Sequence, residues 1–179
     1  MNYNDLVTAV TDYCENTFPT TDMDTFIRQA EQRIYNTAQP SNLRKNVTGS
    51  LTSGNKYLSA PSDFLSTYSI AIYPAGGGAY TYLLNKDVNF IRDAYPNPSS
   101  TGTPKHYAIF GPQSNDVNEL SFIIGPTPDA SYGVELHYYY YPESIVDAGT
   151  TWLGDNFDSV LLYGTICEAF VYKIGRAHV

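Results

Sequence analysis

Basic residues are scarce in this chain. It has 10 lysines and arginines against 18 aspartates and glutamates, which gives a formal net charge of -8 over 179 residues. A protein that grips the phosphate backbone of nucleic acid needs a basic surface, because much of its affinity comes from neutralising phosphates. We therefore predict that the chain does not bind nucleic acid directly.

Long hydrophobic runs and cysteines are also rare. No uninterrupted apolar stretch is long enough to cross a bilayer, and the first residues, MNYNDLVTAVTDYCENT, lack a basic region followed by an apolar one. We expect no membrane partner and synthesis in a cytosol-like compartment. Cys14 and Cys167 each fall within an apolar helical pattern, which predicts two buried free thiols rather than a disulfide.

No motif indicates catalysis or metal binding. His106 and His137 have no cysteine, histidine or carboxylate at ligand spacing, which favours surface or hydrogen-bonding histidines. Ser62-Asp63 lies in a predicted turn without a nucleophile elbow, and the glycine run 76–78 lacks the lysine of a phosphate loop. We predict no enzyme activity, catalytic residue, cofactor or metal. A catalytic pair of carboxylates that only folding brings together stays an open alternative.

Helical periodicity is present at both ends of the chain. Apolar residues recur at helical spacing from Tyr3 to Cys14, and again from Met23 to Ala38 after Thr21 as a predicted N-cap. These patterns predict two amphipathic helices packed as an antiparallel pair. A last helix, from about Asp155, is apolar nearly all round, so we expect it to have partners on both sides, one of them in a neighbouring subunit.

The middle of the chain alternates apolar and polar residues with the period of a strand. The turn at residues 53–55 predicts a hairpin between the segments that flank it, 47–51 and 56–58. A further strand is predicted over residues 68–72, with Tyr68, Ile70 and Ile72 on one face, and a short helix follows with Asn85 as its cap.

Two alternating segments farther along, residues 120–124 and 134–140, are predicted to form a hairpin or an adjacent strand pair. Together the elements predict an α+β fold with an antiparallel β-sheet core, an N-terminal helix pair and a C-terminal helix, in a single domain over residues 1–173.

Tyrosine is abundant, with 17 copies. The run at residues 138–141 alternates between faces, and other tyrosines can add to one aromatic surface: Tyr73, Tyr80, Tyr82, Tyr107 and Tyr132. Because tyrosine buries area and keeps a polar tip, it suits a core, a subunit interface or a sugar-binding platform. All three interpretations stay open.

The last six residues, 174–179, read IGRAHV and match the translation of a widely used short-read sequencing adapter. Gly175 also interrupts a helical pattern that is still apolar up to Val171, since glycine is unfavourable in a helix by about 1 kcal/mol. We interpret 174–179 as non-native read-through, so the natural sequence would continue past Lys173 and His178 would have no function.

Five segments in order resemble the head-to-tail adaptor, or connector, proteins of tailed bacteriophages, of the short-tailed type. They span nearly the whole chain, and they are FIRQAEQRIY (26–35), LTSGNKYLSAPSDFLSTYSI (51–70), KHYAIFG (105–111), GPTPDASYGVELHYYYYP (125–142) and TTWLGDNFDSVLLYGTICEAF (150–170).

The resemblance implies a structural virion protein at the head-tail junction, made in the bacterial host cytoplasm. Such a protein forms a ring, commonly twelve-fold, that binds the portal protein and a tail or nozzle protein around a channel through which DNA passes without specific binding. The alternative is a β-rich tail-fibre or carbohydrate-binding module. The predicted interface residues are Phe26, Ile34, Tyr139, Tyr141, Trp152, Leu162, Ile166 and Phe170.

Overall fold

The structure, a computed structural model, describes residues 1–39, 42–112 and 120–177. Within these residues lie six helices and ten strands. In chain order they are α1 (Tyr3–Cys14), α2 (Thr20–Ala38), β1 (Arg44–Leu51), β2 (Tyr57–Ser59), β3 (Phe64–Pro74), β4 (Thr81–Tyr82), β5 (Leu84–Asn85), α3 (Val88–Ala94), β6 (Thr101–Gly102), β7 (His106–Gly111), β8 (Ser121–Gly125), β9 (Thr127–Pro128), β10 (Tyr132–Tyr140), α4 (Ile145–Ala148), α5 (Trp152–Asn156) and α6 (Asp158–Ala177).

The chain divides into two compact units. A helical unit contains Met1–Pro40 and Tyr141–Val179, and a sheet unit contains Ser41–Tyr140. The predicted α+β class, with N-terminal helices, an antiparallel sheet and a C-terminal helix, is confirmed. The assignment of one adaptor domain to residues 1–173 stays a prediction.

The helical unit is built on α6. Both α1 and α2 pack mainly against α6, so the prediction that they pack on each other is wrong. The cause is that α6 is apolar over more than one face and offers each helix a larger surface to bury. At Gly164 the absence of a side chain allows a close approach, because a Cβ there would lie 3.4 Å from the Ala30 Cβ and from the Ile34 Cδ1.

Two predicted helix caps are wrong. α2 begins at Thr20 with Pro19 in the N-cap position and no side-chain cap, so Thr21 lies inside the helix. The cap of α3 is Asp87, whose carboxylate accepts a hydrogen bond from the Asn89 N–H at 2.8 Å, and not Asn85, which pairs in β5. In both cases the sequence offers several cap residues within a few positions, and the local pattern does not choose between them.

Two expectations about α6 are also corrected. Both cysteines are free, but only Cys14 is buried and Cys167 is exposed. α6 continues through Gly175 to Ala177, because a single glycine weakens a helix without ending it. The helix-interruption argument for a foreign tail is therefore wrong, and the read-through itself stays a prediction. His178 lies outside the described residues.

The sheet unit contains two four-stranded sheets. Sheet A has the strand order β1-β10-β3-β4, and sheet B has the order β2-β8-β7-β5. All neighbours are antiparallel except β5 and β7, which are parallel, and β6 and β9 form a separate parallel pair. Strands of both sheets supply one hydrophobic core, which contains Leu51, Ile70, Ile72, Leu83, Tyr107, Phe122, Ile124, Val134, Leu136 and Tyr138.

The predicted strands are present, but their predicted pairing is wrong. β1 pairs with β10 and β2 pairs with β8, so the segments on either side of the turn at 53–55 belong to different sheets. The segments at 120–124 and 134–140 also separate, since β8 lies in sheet B and β10 in sheet A. The hairpin that does form next to β8 joins it to β7.

Because β3 contains a β-bulge, the prediction that Tyr68 shares a strand face with Ile70 and Ile72 is wrong. The register between β3 and β10 shifts at His137/Tyr138, so that Ser69 faces His137, Thr67 faces Tyr138 and the residue between them, Tyr68, is unpaired. A bulge interrupts the alternation of side chains along its strand. As a result Tyr68 is 56 % exposed, while Ile70 is buried in the core.

Candidate interaction surfaces

The predicted interface residues lie in three kinds of surroundings. Phe26, Leu162 and Ile166 are buried inside the chain, where Phe26 packs edge-on against Phe18 at 5.3 Å between ring centroids. These three leave little surface for a partner, and we exclude them from the surface proposed below. The half-buried ones are Ile34, Tyr139, Tyr141 and Trp152, and Phe170 is 42 % exposed.

Phe170 belongs to an exposed apolar face of α6. Its neighbours at helical spacing are exposed to between 42 and 65 %, and together they form what we call the α6 stripe: Val160, Tyr163, Phe170, Val171 and Ile174. Cys167 lies exposed on the same face, and the ring of exposed Tyr13 meets Tyr163 edge-on at 6.2 Å. α6 therefore has a second apolar side, as its sequence predicted.

Which side of α6 is exposed could not be read from the sequence. Leu162 and Ile166 were chosen as interface candidates, but the opposite face carries the exposed residues. Both faces are apolar, so amphipathic periodicity does not distinguish core from surface here. For this reason the predicted interface residues did not include the exposed Val160, Tyr163, Val171 and Ile174.

A polar cluster joins α2 to α4 in the helical unit. Arg28 forms a two-pronged pair with Asp147, with both N–O distances 2.8 Å, and the Glu31 Oε1 accepts a hydrogen bond from the Ile145 N–H at 2.9 Å. Burial raises the pKa of Glu31, although hydrogen bonds from Ser144 and Ile145 partly oppose the rise. The adjoining cavity has a volume of about 300 Å³. Because these polar groups pair with each other, we interpret the cluster as a structural contact that holds α4 against α2.

A second polar cluster centres on Asp63 in the sheet unit. Lys45 Nζ lies 2.6 Å from its carboxylate, and the hydroxyl of Tyr138, which is only 1 % exposed, donates to it at 2.8 Å. Burial alone would raise the pKa of Asp63, but the hydrogen bonds from Lys45 and Tyr138 outweigh it and lower the pKa. Burial and the Asp63 hydrogen bond raise the pKa of Tyr138 to about 12. Asp63 thus ties the turn before β3 to β1 and β10.

The two histidines contact aromatic residues. His106 Nδ1 lies 2.8 Å from the Tyr95 hydroxyl, and burial together with Lys86 and Lys105 lowers the pKa of His106. His137 meets the exposed ring of Tyr68 at 5.0 Å. Over residues 1–39, 42–112 and 120–177 no group of three potential metal ligands comes together.

The tyrosines do not form one surface. Tyr107 and Tyr138 are core residues of the sheet unit. Tyr73 and Tyr80 pack on each other at 5.0 Å, whereas Tyr68 and Tyr139 share the guanidinium of Arg44, whose Cζ lies 4.3 and 5.6 Å from their ring centroids. Tyrosine here serves both core and surface.

In the described part of the chain, no helix is both long and apolar enough to cross a membrane. A comparison with curated proteins gives no match. The model of the SU10 adaptor protein family matches residues 1–177, which includes all five segments that carried the resemblance. The chain therefore belongs to the SU10 adaptor protein family, a family of phage head-to-tail adaptors.

Proposed function

We propose that this chain is the repeating subunit of a ring that joins the capsid portal to the tail, with the DNA channel through its centre. It would be made in the host cytoplasm and reside in the virion. Family membership over residues 1–177 supports the adaptor role, and the α6 stripe is the observation that supports self-association. The twelve-fold number rests on the family resemblance.

The α6 stripe fits a protein interface better than a solvated helix face. It carries five large apolar side chains over several turns of one helix, all at least 42 % exposed. Removing apolar surface from water contributes about 25 cal/mol per Å², so covering such a face is favourable. Exposed apolar patches of this kind mark interaction sites, and a neighbouring subunit or the portal protein would cover it.

The charge of the chain suits a channel that DNA must slide through. With a formal charge of -8 per copy, a ring would present an acidic surround to the phosphate backbone. Such a wall repels the backbone instead of binding it. We therefore propose passage of DNA without specific binding, contacts with portal and tail proteins, and no catalytic role. The family match favours this role over a carbohydrate-binding module.

Light scattering of the purified chain, alone and mixed with the portal protein of the same phage, tests the proposal. We expect either a large oligomer or a complex that forms on the portal. A charge in the α6 stripe, Val171→Asp, should weaken assembly, because burying a charge in an apolar contact is costly. The core stays intact, since Val171 is 65 % exposed. The control is Ile109→Asp, an equally polar change at an exposed residue of the sheet unit. A chain that stays monomeric with portal present overturns the proposal.

A further inference from the structure

A small pocket lies between α3 and sheet B, within the sheet unit. Its volume is about 90 Å³, and two basic residues line it: Arg92, which belongs to α3, and Lys56, which directly precedes β2. Of the described residues that line it, none is an aspartate or a glutamate. The pocket, which we call the Lys56/Arg92 pocket, therefore brings two positive charges together without a negative one.

Neither of these charges is neutralised by an ion pair among the described residues. The lysines and arginines that form ion pairs there are Arg28, Arg33 and Lys45, and not Lys56 or Arg92. The chain as a whole has 18 acidic residues against 10 basic ones, so carboxylates are plentiful. Two unpaired cations at one pocket are therefore a feature of this site and not of the composition.

The charge of the sheet unit also permits an anion to bind there. Residues 41–140 contain six basic and seven acidic residues, whereas the helical unit contains four basic and eleven acidic ones. Most of the formal charge of -8 therefore belongs to the helical unit. An anion at the Lys56/Arg92 pocket meets little net repulsion from the unit that binds it.

Aromatic rings restrict both cations before a ligand arrives. The Lys56 Nζ lies 5.5 Å from the ring centroid of Tyr57, and the Arg92 Cζ lies 5.5 Å from that of Phe110. The two rings pack on each other at 5.3 Å between centroids. Since a cation within about 6 Å of a ring centroid is attracted to it, these contacts lower the entropic cost of holding the two side chains at a ligand.

A buried hydroxyl adds a hydrogen-bond donor to the same pocket. Thr127 lines it and is only 5 % exposed, and in the part of the chain that the structure describes its side chain has no hydrogen-bond partner. Buried polar groups are normally paired, so a buried hydroxyl without a partner indicates a group that a ligand can satisfy. A hydroxyl can donate to an anion, as an ammonium and a guanidinium do.

We propose that the Lys56/Arg92 pocket binds a phosphate ion. At about 30 Å³ for each water, its volume is that of about three waters, which suits one small ion. A phosphate group carries a charge of about -1.5 to -2 near neutral pH and balances both cations, whereas a carboxylate balances only one. The planar fork of arginine matches the oxygens of phosphate, and lysine binds phosphate as a point charge.

A phosphate bound to both cations connects α3 to the segment before β2. Otherwise α3 is held on sheet B by a small apolar cluster of Ile91, Ala108 and Ile123. Because a ligand that binds only the folded state stabilises it, phosphate should raise the Tm of the wild type and leave that of an Arg92→Gln variant nearly unchanged. This inference does not depend on ring formation.

Isothermal titration of the full chain with sodium phosphate tests the site, at constant ionic strength and about pH 7.5, where phosphate is mostly a dianion. We expect one phosphate to bind per chain. Arg92→Gln and Lys56→Gln should each weaken binding about tenfold or more, because each removes a charged hydrogen-bond donor. The matched control is Lys86→Gln, which removes the same charge beside a ring, that of Phe90 at 5.2 Å, but outside the pocket lining. Its affinity for phosphate should equal that of the wild type.

Two further titrations separate phosphate from other anions. Sodium acetate should bind about tenfold or more weakly, since one negative charge leaves a cation unbalanced. A single-stranded oligonucleotide without a terminal phosphate should not bind at the same ionic strength, because the acidic chain repels a polyanion. Phosphate binding that survives in Arg92→Gln, or that Lys86→Gln weakens equally, overturns the inference. An oligonucleotide that binds through Arg92 also overturns it, because the pocket would then contact a nucleic-acid backbone. Each of these results leaves the adaptor proposal to its own assembly test.

Discussion

Glu31 shows how a single buried charge can hold two helices together at a cost. Its side chain is only 3 % exposed, and its carboxylate accepts from the Ile145 N–H at the start of α4. Burial raises its pKa, which means that the folded protein disfavours the charged form. The hydrogen bond and the charge therefore act in opposite directions on stability.

We expect the stability of the Glu31→Gln variant to increase relative to that of the wild type as pH rises. The folded pKa lies above the unfolded one, so the wild type loses stability as pH rises from about 4.3, the ordinary glutamate value, through the raised pKa. Glutamine has no charge to desolvate, and its oxygen still accepts from the Ile145 N–H. Thermal unfolding from about pH 4 to about pH 8 should show the difference in Tm moving in favour of the variant.

Two further variants separate the charge from the hydrogen bond. Glu31→Leu removes the acceptor and should cost about 1–3 kcal/mol, because the buried Ile145 N–H is left unpaired. Glu143→Gln, an exposed change in the same unit, should give nearly the same Tm difference at each pH. A Glu31→Gln variant that loses stability relative to wild type on going to higher pH contradicts the interpretation.

For single residues, the sequence predicted the local position better than the partners that the folded chain brings to it. Asp63 was predicted in a turn and is there, but nothing local shows that Lys45 and Tyr138 converge on it. Glu31 was not predicted as a buried acid, because its spacing alone does not reveal that α4 approaches α2. Such partners are distant in sequence, and only the fold brings them together.

At the level of elements, the sequence predicts which segments are strands but not which strands pair. Period-2 alternation is a local property, and it identified β1, β3, β8 and β10. Pairing is decided by which apolar faces meet, and the two predicted pairings of neighbouring segments gave way to pairings across the chain, such as β1 with β10.

The docking of α3 on sheet B rests on a glycine, which gives a prediction for an element. Ile91 of α3 packs on Ala108 and Ile123. A Cβ at Gly125 would lie 2.5 Å from the Tyr95 Cδ2 and 3.1 Å from the Ile91 Cγ2. Gly125→Ala should therefore destabilise the protein by about 1–3 kcal/mol, as overpacking does, seen as a lower midpoint in urea unfolding.

The Tyr95 ring has little freedom to avoid this clash, because its hydroxyl is held 2.8 Å from His106 Nδ1. Gly49→Ala is the matched control: it lies in the edge strand β1, with nothing within 4 Å of the added Cβ. Alanine is favoured over glycine in such a position by about 0.5–1 kcal/mol. Equal midpoints for the two variants would show that α3 does not depend on the close approach at Gly125.

At the scale of the whole molecule, the order of the five adaptor-like segments carried more information than any one of these segments. Each of the five adaptor-like segments is weak alone, but together they identified the family that the match over residues 1–177 confirms. The contact surfaces were less predictable. Hydrophobic side chains serve the core and the interface alike, so the sequence could not separate Leu162 in the core from Val171 on the surface.

The charge of the whole chain gives a last prediction, on how assembly depends on salt. Each copy carries a formal charge of -8, while the five residues of the α6 stripe are uncharged. Salt shortens the range of repulsion between copies, from a Debye length of about 10 Å at 0.1 M to about 3 Å at 1 M, and leaves apolar contacts in place. We expect self-association to strengthen with added salt.

Sedimentation velocity at about 0.05 M and about 0.5 M sodium chloride checks this, at several protein concentrations, because the two salt levels bracket a Debye length near 10 Å. Val171→Asp adds a negative charge to the stripe itself, so its weakened assembly should recover in part at high salt. Val171→Ser, which is polar but uncharged, should not recover to the same extent. Ring contacts built on ion pairs would behave in the opposite way: oligomers that dissociate as salt rises would show that charged residues, and not the apolar surfaces, hold the copies together.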